Sequence, residues 1–179
     1  MPRALRLSLL ALGGLALLTL LALGASALLD RPAKVVTASA TVEGTKQDVW
    51  ATLTDFAAYE EWNPVVTHAA GEAREGDELR LDVIIPGHDP ESLDAEVLIA
   101  RPERKLRWQA RLVLPGLRDW EYEFVLEPVD EGRVLVVQQV RIEGLLAPFA
   151  DVAAAREGLE LAAEALRRRL AAATGSQSG

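Results

Sequence analysis

Apolar positions change period twice along this chain. From Thr45 to Pro64 (TKQDVWATLTDFAAYEEWNP), Val49, Trp50, Leu53 and Phe56 recur at helical spacing, and Tyr59 and Trp62 continue the stripe in steps of three. Thr45 is placed to cap this helix, with Asp48 at the third helical position bonding back to the cap's amide. Asn63-Pro64 ends it, because a residue before proline is pushed out of the α region. Val35 to Val42 reads as a strand before this stretch, and Val65 to Ala70 as one after it. Alternation then takes over in five further runs. These are Leu79 to Ile85, Leu93 to Ile99, Leu106 to Leu112, Trp120 to Leu126 and Val134 to Ile142, parted by Gly- and Pro-containing breaks. Links this short exclude parallel crossovers and predict one antiparallel sheet. From Pro148 the period is helical again, with Val152, Ala155, Leu159, Ala162, Leu166 and Leu170 on one stripe, and a polar tail follows at 173–179. The expected architecture is α+β, with the soluble domain at residues 31–172.

The first thirty residues differ in kind. Leu7 to Leu29 carries no charge, and its 23 residues reach roughly 34 Å as a helix, enough for a hydrocarbon core of about 30 Å. Two readings apply: a retained signal anchor, or a signal peptide cut after Ala25-Ser26-Ala27 and a secreted domain. The apolar run is longer than the ~7–15 residues of a typical signal h-region and continues past the candidate cut, which favours the anchor. Arg3, Arg6 and the amino terminus, set against Arg31 and Lys34, lean toward a cytoplasmic N-terminus. The expectation is a single-pass protein of the cell membrane with its domain on the extracytoplasmic side.

Charge and cysteine usage narrow the classes further. Arg3 and Arg6 are the only charged residues before Asp30, so 17 of the 19 basic residues stand against all 27 acidic ones in the domain, a net of −10. Such a surface repels phosphate backbones, so no nucleic-acid partner is expected. The absence of cysteine excludes a lipoprotein anchor, disulfides and thiolate metal sites.

The capped V-W-x-x-L-x-D-F-x-x-Y-x-x-W-N-P segment, set between one strand and a long meander, resembles the START/polyketide-cyclase (SRPBCC) superfamily. The L-P-G-L-x-D run at Leu114 to Asp119, the glutamine strand around Gln138 and the G-L-L-x-P turn at Gly144 to Pro148 are similar to its polyketide cyclase/dehydrase-like branch. The resemblance spans Val35 to Leu170 and implies a helix-grip fold, in which a curved antiparallel sheet wraps a long C-terminal helix around an apolar cavity. Such relatives often carry an aromatic and a Met-Asn pair on the terminal helix, and a glutamate two residues after the glutamine. Leu159, Ala162-Ala163 and Val140 stand at those places, so the cavity is expected to be roomier and less polar.

Candidate chemistry is sparse. His68 sits at a strand end and His88 in a Pro-Gly loop, with no ligand spacing between them and no G-x-S-x-G elsewhere. No metal or cofactor is expected. Gln138 differs, since its parity puts an amide on the apolar face, where it must find partners. It is expected to bond either a ligand or its bound water, or else Tyr122 or the backbone. Trp62, Trp108, Trp120, Tyr122, Phe124, Gln138, Leu159, Ala162 and Leu166 are therefore the candidate ligand-binding residues. The expected function is binding of an apolar or amphipathic small molecule, lipid-, quinone- or polyketide-like. A cyclase or dehydratase is one alternative, with Gln138, Tyr122 and, if the parity is misread, Arg111 or Asp82 as its polar groups. A tethered interaction module with a filled core is the other.

Overall fold

The computed structural model describes residues 33–112 and 114–177. The Leu7–Leu29 segment lies outside them, and no described helix is long and apolar enough to cross a membrane. Strand β1 (Ala33–Glu43) leads to helix α1 (Lys46–Thr54), a 3-10 turn (Phe56–Ala58) and the short helix α2 (Tyr59–Trp62). Strands β2 (Val66–Ala70), β3 (Glu78–Val83), β4 (Glu91–Arg101), β5 (Lys105–Leu112), β6 (Arg118–Asp130) and β7 (Arg133–Glu143) follow. A second 3-10 turn (Ala147–Phe149) introduces the long helix α3 (Val152–Gln177).

The predicted cap at Thr45 forms. Its Oγ1 accepts from the Asp48 amide at 3.2 Å, and the Thr45 amide donates to Asp48 Oδ2 at 2.8 Å. The Thr45 hydroxyl, donating to Asp48 Oδ2 at 2.7 Å, and after it the Thr45 amide hold the Asp48 carboxyl below its usual range. The stripe beyond it is not one helix. At Asp55 the backbone leaves the α region (φ −80°, ψ 75°), and the 3-10 turn and α2 carry the stripe onward. The break has a local use: the buried Tyr59 hydroxyl donates to the Leu53 carbonyl at 2.8 Å, fixing α2 against the end of α1. Asn63, extended before Pro64 as expected, accepts from the amides of Val65 and Val66 at 3.0 Å each and turns the chain into β2.

All seven strands form one antiparallel sheet in the order β1-β7-β6-β5-β4-β3-β2. Irregularities at Val66/His68, Val97/Ile99 and Pro128/Asp130 add the local twist that helps it curl. Helix α3 lies in the concavity, chiefly along β1 and β7. It runs on to Gln177, with the Thr174 hydroxyl bonding back to the carbonyls of Leu170 and Ala171. The core divides in two. The larger cluster takes in Val49, Leu53, Phe56, Trp108, Phe124, Ala162 and Leu166, and the smaller one Val36, Val140, Ile142, Ala147, Ala155 and Leu159.

One end of the sheet collects the loops 84–90, 114–117 and 144–151, together with the start of β1. Two of these loops are joined by backbone: the Leu145 amide donates to Gly116 O at 3.0 Å and the Leu146 amide to Leu117 O at 2.9 Å. Gly144 permits this at φ +109°, where a Cβ would stand 2.7 Å from Leu117 O.

Candidate functional site

Beneath the first turns of α3 the two core clusters do not close on each other. A chamber of about 60 Å³ remains, walled by Val65, Leu81, Trp108, Tyr122, Leu159 and Gly158, among others. Val83, Ile85, Leu93 and Trp120 belong both to this wall and to that of a wider outer cleft of about 500 Å³. The room comes from small residues on the sheet-facing side of α3, Ala155 and Gly158. A Cβ at Gly158 would meet Pro86 at 3.5 Å and Val65 at 3.7 Å, which are ordinary contacts. The glycine thus leaves space that the neighbouring atoms do not claim.

Of the nine candidates, Trp108, Trp120, Tyr122 and Leu159 line the chamber. Phe124, Ala162 and Leu166 lie in the larger packed cluster. Trp62 packs edge-on to Tyr59, with ring centroids 5.0 Å apart, and its indole nitrogen is buried without a partner. Gln138, only 1% exposed, sits one layer behind the chamber. Its Oε1 accepts from the Tyr122 hydroxyl at 2.6 Å, while its Nε2 is buried with no partner. Turning the amide over would let Nε2 donate to Tyr122 and bare Oε1 instead, so one polar end is orphaned either way. Tyr122 stacks on Trp108 at 5.2 Å and borders both core clusters. Burial pushes its phenol well above the ordinary tyrosine range. Asp82 has its carboxylate on Ser92 at 2.6 Å, away from this site. The Arg111 side chain lies outside what the structure describes.

Polar groups gather at the outer cleft. His88 Nε2 stands 3.5 Å from Asp151 Oδ2, joining the β3–β4 loop to the start of α3. Asp151 also caps α3, its Oδ1 accepting from the Ala154 amide at 3.0 Å. That bond first, and His88 after it, hold the carboxyl below the usual range. Arg118 pairs with Glu91 at 3.2 Å and covers the Trp120 ring at 5.2 Å, and the Trp120 indole nitrogen is buried without a partner. Among the described residues no group of His, Cys, Asp or Glu could hold a metal.

Sequence reasoning placed neither Gly158 nor the rim. A glycine in mid-helix costs about 1 kcal/mol against alanine and is a signal of a packing or cavity reason. His88 and Asp151 had no such signal, since their meeting depends on how the sheet curls.

Residues 33–175 match the profile of the family described as polyketide cyclase/dehydrase and lipid transport. The chain belongs to this family. Solved structures place this family member among START-like folds. A START superfamily protein of Mycobacterium smegmatis is 23% identical, with a TM-score of 0.63 over 76% of this chain and 96% of that one. An aromatase/cyclase of Streptomyces is 20% identical, with a TM-score of 0.58 over 78% and 94%. Norcoclaurine synthase of Thalictrum flavum, bound to a transition-state analogue, is 12% identical, with a TM-score of 0.61 over 81% and 98%. At these identities the likeness is one of fold, and it bears out the helix-grip expectation for the α+β domain. No curated protein is similar enough to count as a match.

Proposed function

We propose that this family member binds an amphipathic, mostly apolar small molecule, lipid-, quinone- or polyketide-like, and that Leu7–Leu29 tethers it to the cell membrane with the domain on the extracytoplasmic side. The observation that carries the binding reading is the two-part cavity. The chamber of about 60 Å³ has room for only the end of a ligand, whereas the cleft of about 500 Å³ falls within the ~300–1,000 Å³ of small-molecule sites. The ligand's bulk therefore lies in the cleft, with an apolar end between Trp108, Tyr122 and Leu159. Its polar part meets the rim, where Arg118 and His88 offer donors. Binding is favoured over a cyclase-type reaction because the chamber wall offers no acid–base pair, and the His88–Asp151 pair at the cleft has its carboxylate committed to capping α3. The Tyr122 hydroxyl is engaged by Gln138, and the Glu121 carboxylate pairs with Arg107 at 3.2 Å.

Native mass spectrometry of the full chain, released from a mild detergent, tests this reading. The wild type is expected to carry a copurified small molecule. Gly158→Leu, whose side chain enters the chamber, is expected to lose it while keeping its melting temperature. An empty wild type, or a variant that retains the same mass, would overturn the binding reading.

A further inference from the structure

Large apolar side chains are unevenly spread over the surface. Eight are exposed among the described residues, and six of them, Val35, Ile84, Leu114, Leu145, Leu146 and Phe149, stand at or beside the end of the sheet where the cleft opens. Phe149 is 85% exposed, Leu145 64% and Leu114 63%. The opposite end is made of charged turns, with Glu72, Arg74 and Glu75 in one, Glu103 and Arg104 in the next, and Asp130, Glu131 and Arg133 in the third. Clustered apolar tips beside a cleft are the mark of a surface that something covers.

Chain connectivity says what covers it. Ala33, where β1 begins, pairs with Glu143, the residue before Gly144 and the apolar loop. One residue on, Lys34 Nζ donates to the Pro148 carbonyl at 2.8 Å, beside Phe149. Only Asp30, Arg31 and Pro32 separate Leu29 from Ala33, a span of at most about 14 Å even when fully extended. A membrane that holds Leu7–Leu29 therefore lies within that distance of the cleft end and cannot be reached by the charged end.

We infer that the apolar tips Leu114, Leu145, Leu146 and Phe149 dock on the lipid bilayer itself, so that the cleft opens onto the membrane interface and takes its ligand from the lipid phase. This rests on the anchor part of the proposed function. With the domain at a net of −10, the docking is apolar rather than an attraction to anionic headgroups, and neutral phosphatidylcholine suffices.

The chain has no cysteine, so one introduced thiol at a time can carry a polarity-sensitive fluorophore. The test uses the full chain in phosphatidylcholine vesicles with Leu145→Cys, Phe149→Cys, Glu72→Cys or Glu131→Cys, all at exposed positions. Labels at 145 and 149 are expected to shift to the blue. Seated ~5–10 Å into the interface, they should lose about half of their emission or more to lipids with a nitroxide near the headgroup, and labels at 72 and 131 should lose none. A carbonate wash of the same vesicles separates the two failures. Release of the protein overturns the anchor and the docking with it. Retention with unquenched labels at 145 and 149 overturns the docking alone. A blue shift without lipid quenching assigns the surface to a second copy of this chain and likewise overturns it.

Discussion

Leu166 and Leu170, in the C-terminal half of α3, are packed into the larger cluster with Leu53 and Phe56, whereas Ala155 and Gly158, about two to four turns earlier, face the chamber. The two halves share one helix and one apolar stripe. They differ in the size of the residues on it, and that decides whether the sheet is filled or left open. The packed half fixes the helix in the concavity, so the other half can leave space without the helix losing its place. A binding cavity and a stable core thus coexist along 26 residues, divided where Tyr122 bonds Gln138.

The largest effect that would sharpen this contrast lies in the packed half. Leu166→Ala is expected to cost about 2–5 kcal/mol by denaturant titration, because the clustered neighbours cannot collapse into the space. A loss under ~1 kcal/mol would mean that the two halves are equally loose.

The dividing pair comes next. Tyr122→Phe strands the whole Gln138 amide in the core and is expected to cost about 1–3 kcal/mol, while the double variant with Gln138→Leu recovers most of that loss. The same tyrosine sets an alkaline limit. Its phenol is raised by burial, so above about pH 10 the unfolded chain releases a proton that the folded chain keeps, and stability is lost as pH rises. Tyr122→Phe should lose stability less steeply there, by about 1.4 kcal/mol per pH unit. Parallel slopes in wild type and variant would place the phenol in water.

The smallest effect is a gain. Gly158→Ala is expected to stabilise the domain by about 0.5–1 kcal/mol, since it restores helix propensity and its Cβ meets only ordinary contacts. A loss instead would show that the chamber is tighter at this turn than its walls imply.

Much of the fold was legible from period alone. The strands from Leu79 onward, the Thr45 cap and the terminal stripe follow from alternation, capping chemistry and helical spacing. The break at Asp55 was not, because the stripe through Phe56, Tyr59 and Trp62 keeps its spacing across a change of helix type. The site was legible in part for a similar reason. Periodicity tells which face a residue is on but not how deep it sits, so Phe124 shares a strand face with Trp120 and Tyr122, and Ala162 and Leu166 share a helix face with Leu159, yet these three lie in the packed cluster. The rim is the least legible part. His88 and Asp151 come from distant stretches of chain, and each looks like an ordinary loop residue until the sheet curls.

Gly144 has a consequence for how the apolar loops behave. Because it lets the backbones of 116–117 and 145–146 bond directly, the tips at Leu114, Leu145 and Phe149 stand on one braced frame rather than on two free arms. Loose loops would fold their apolar tips inward and give up conformational freedom each time a surface was met. A braced frame cannot retract them and has little freedom left to give up, so the ordering cost is met during folding and contact proceeds at a nearly fixed shape. Gly144 thereby makes this end of the domain a stiff foot whose apolar sole is always presented.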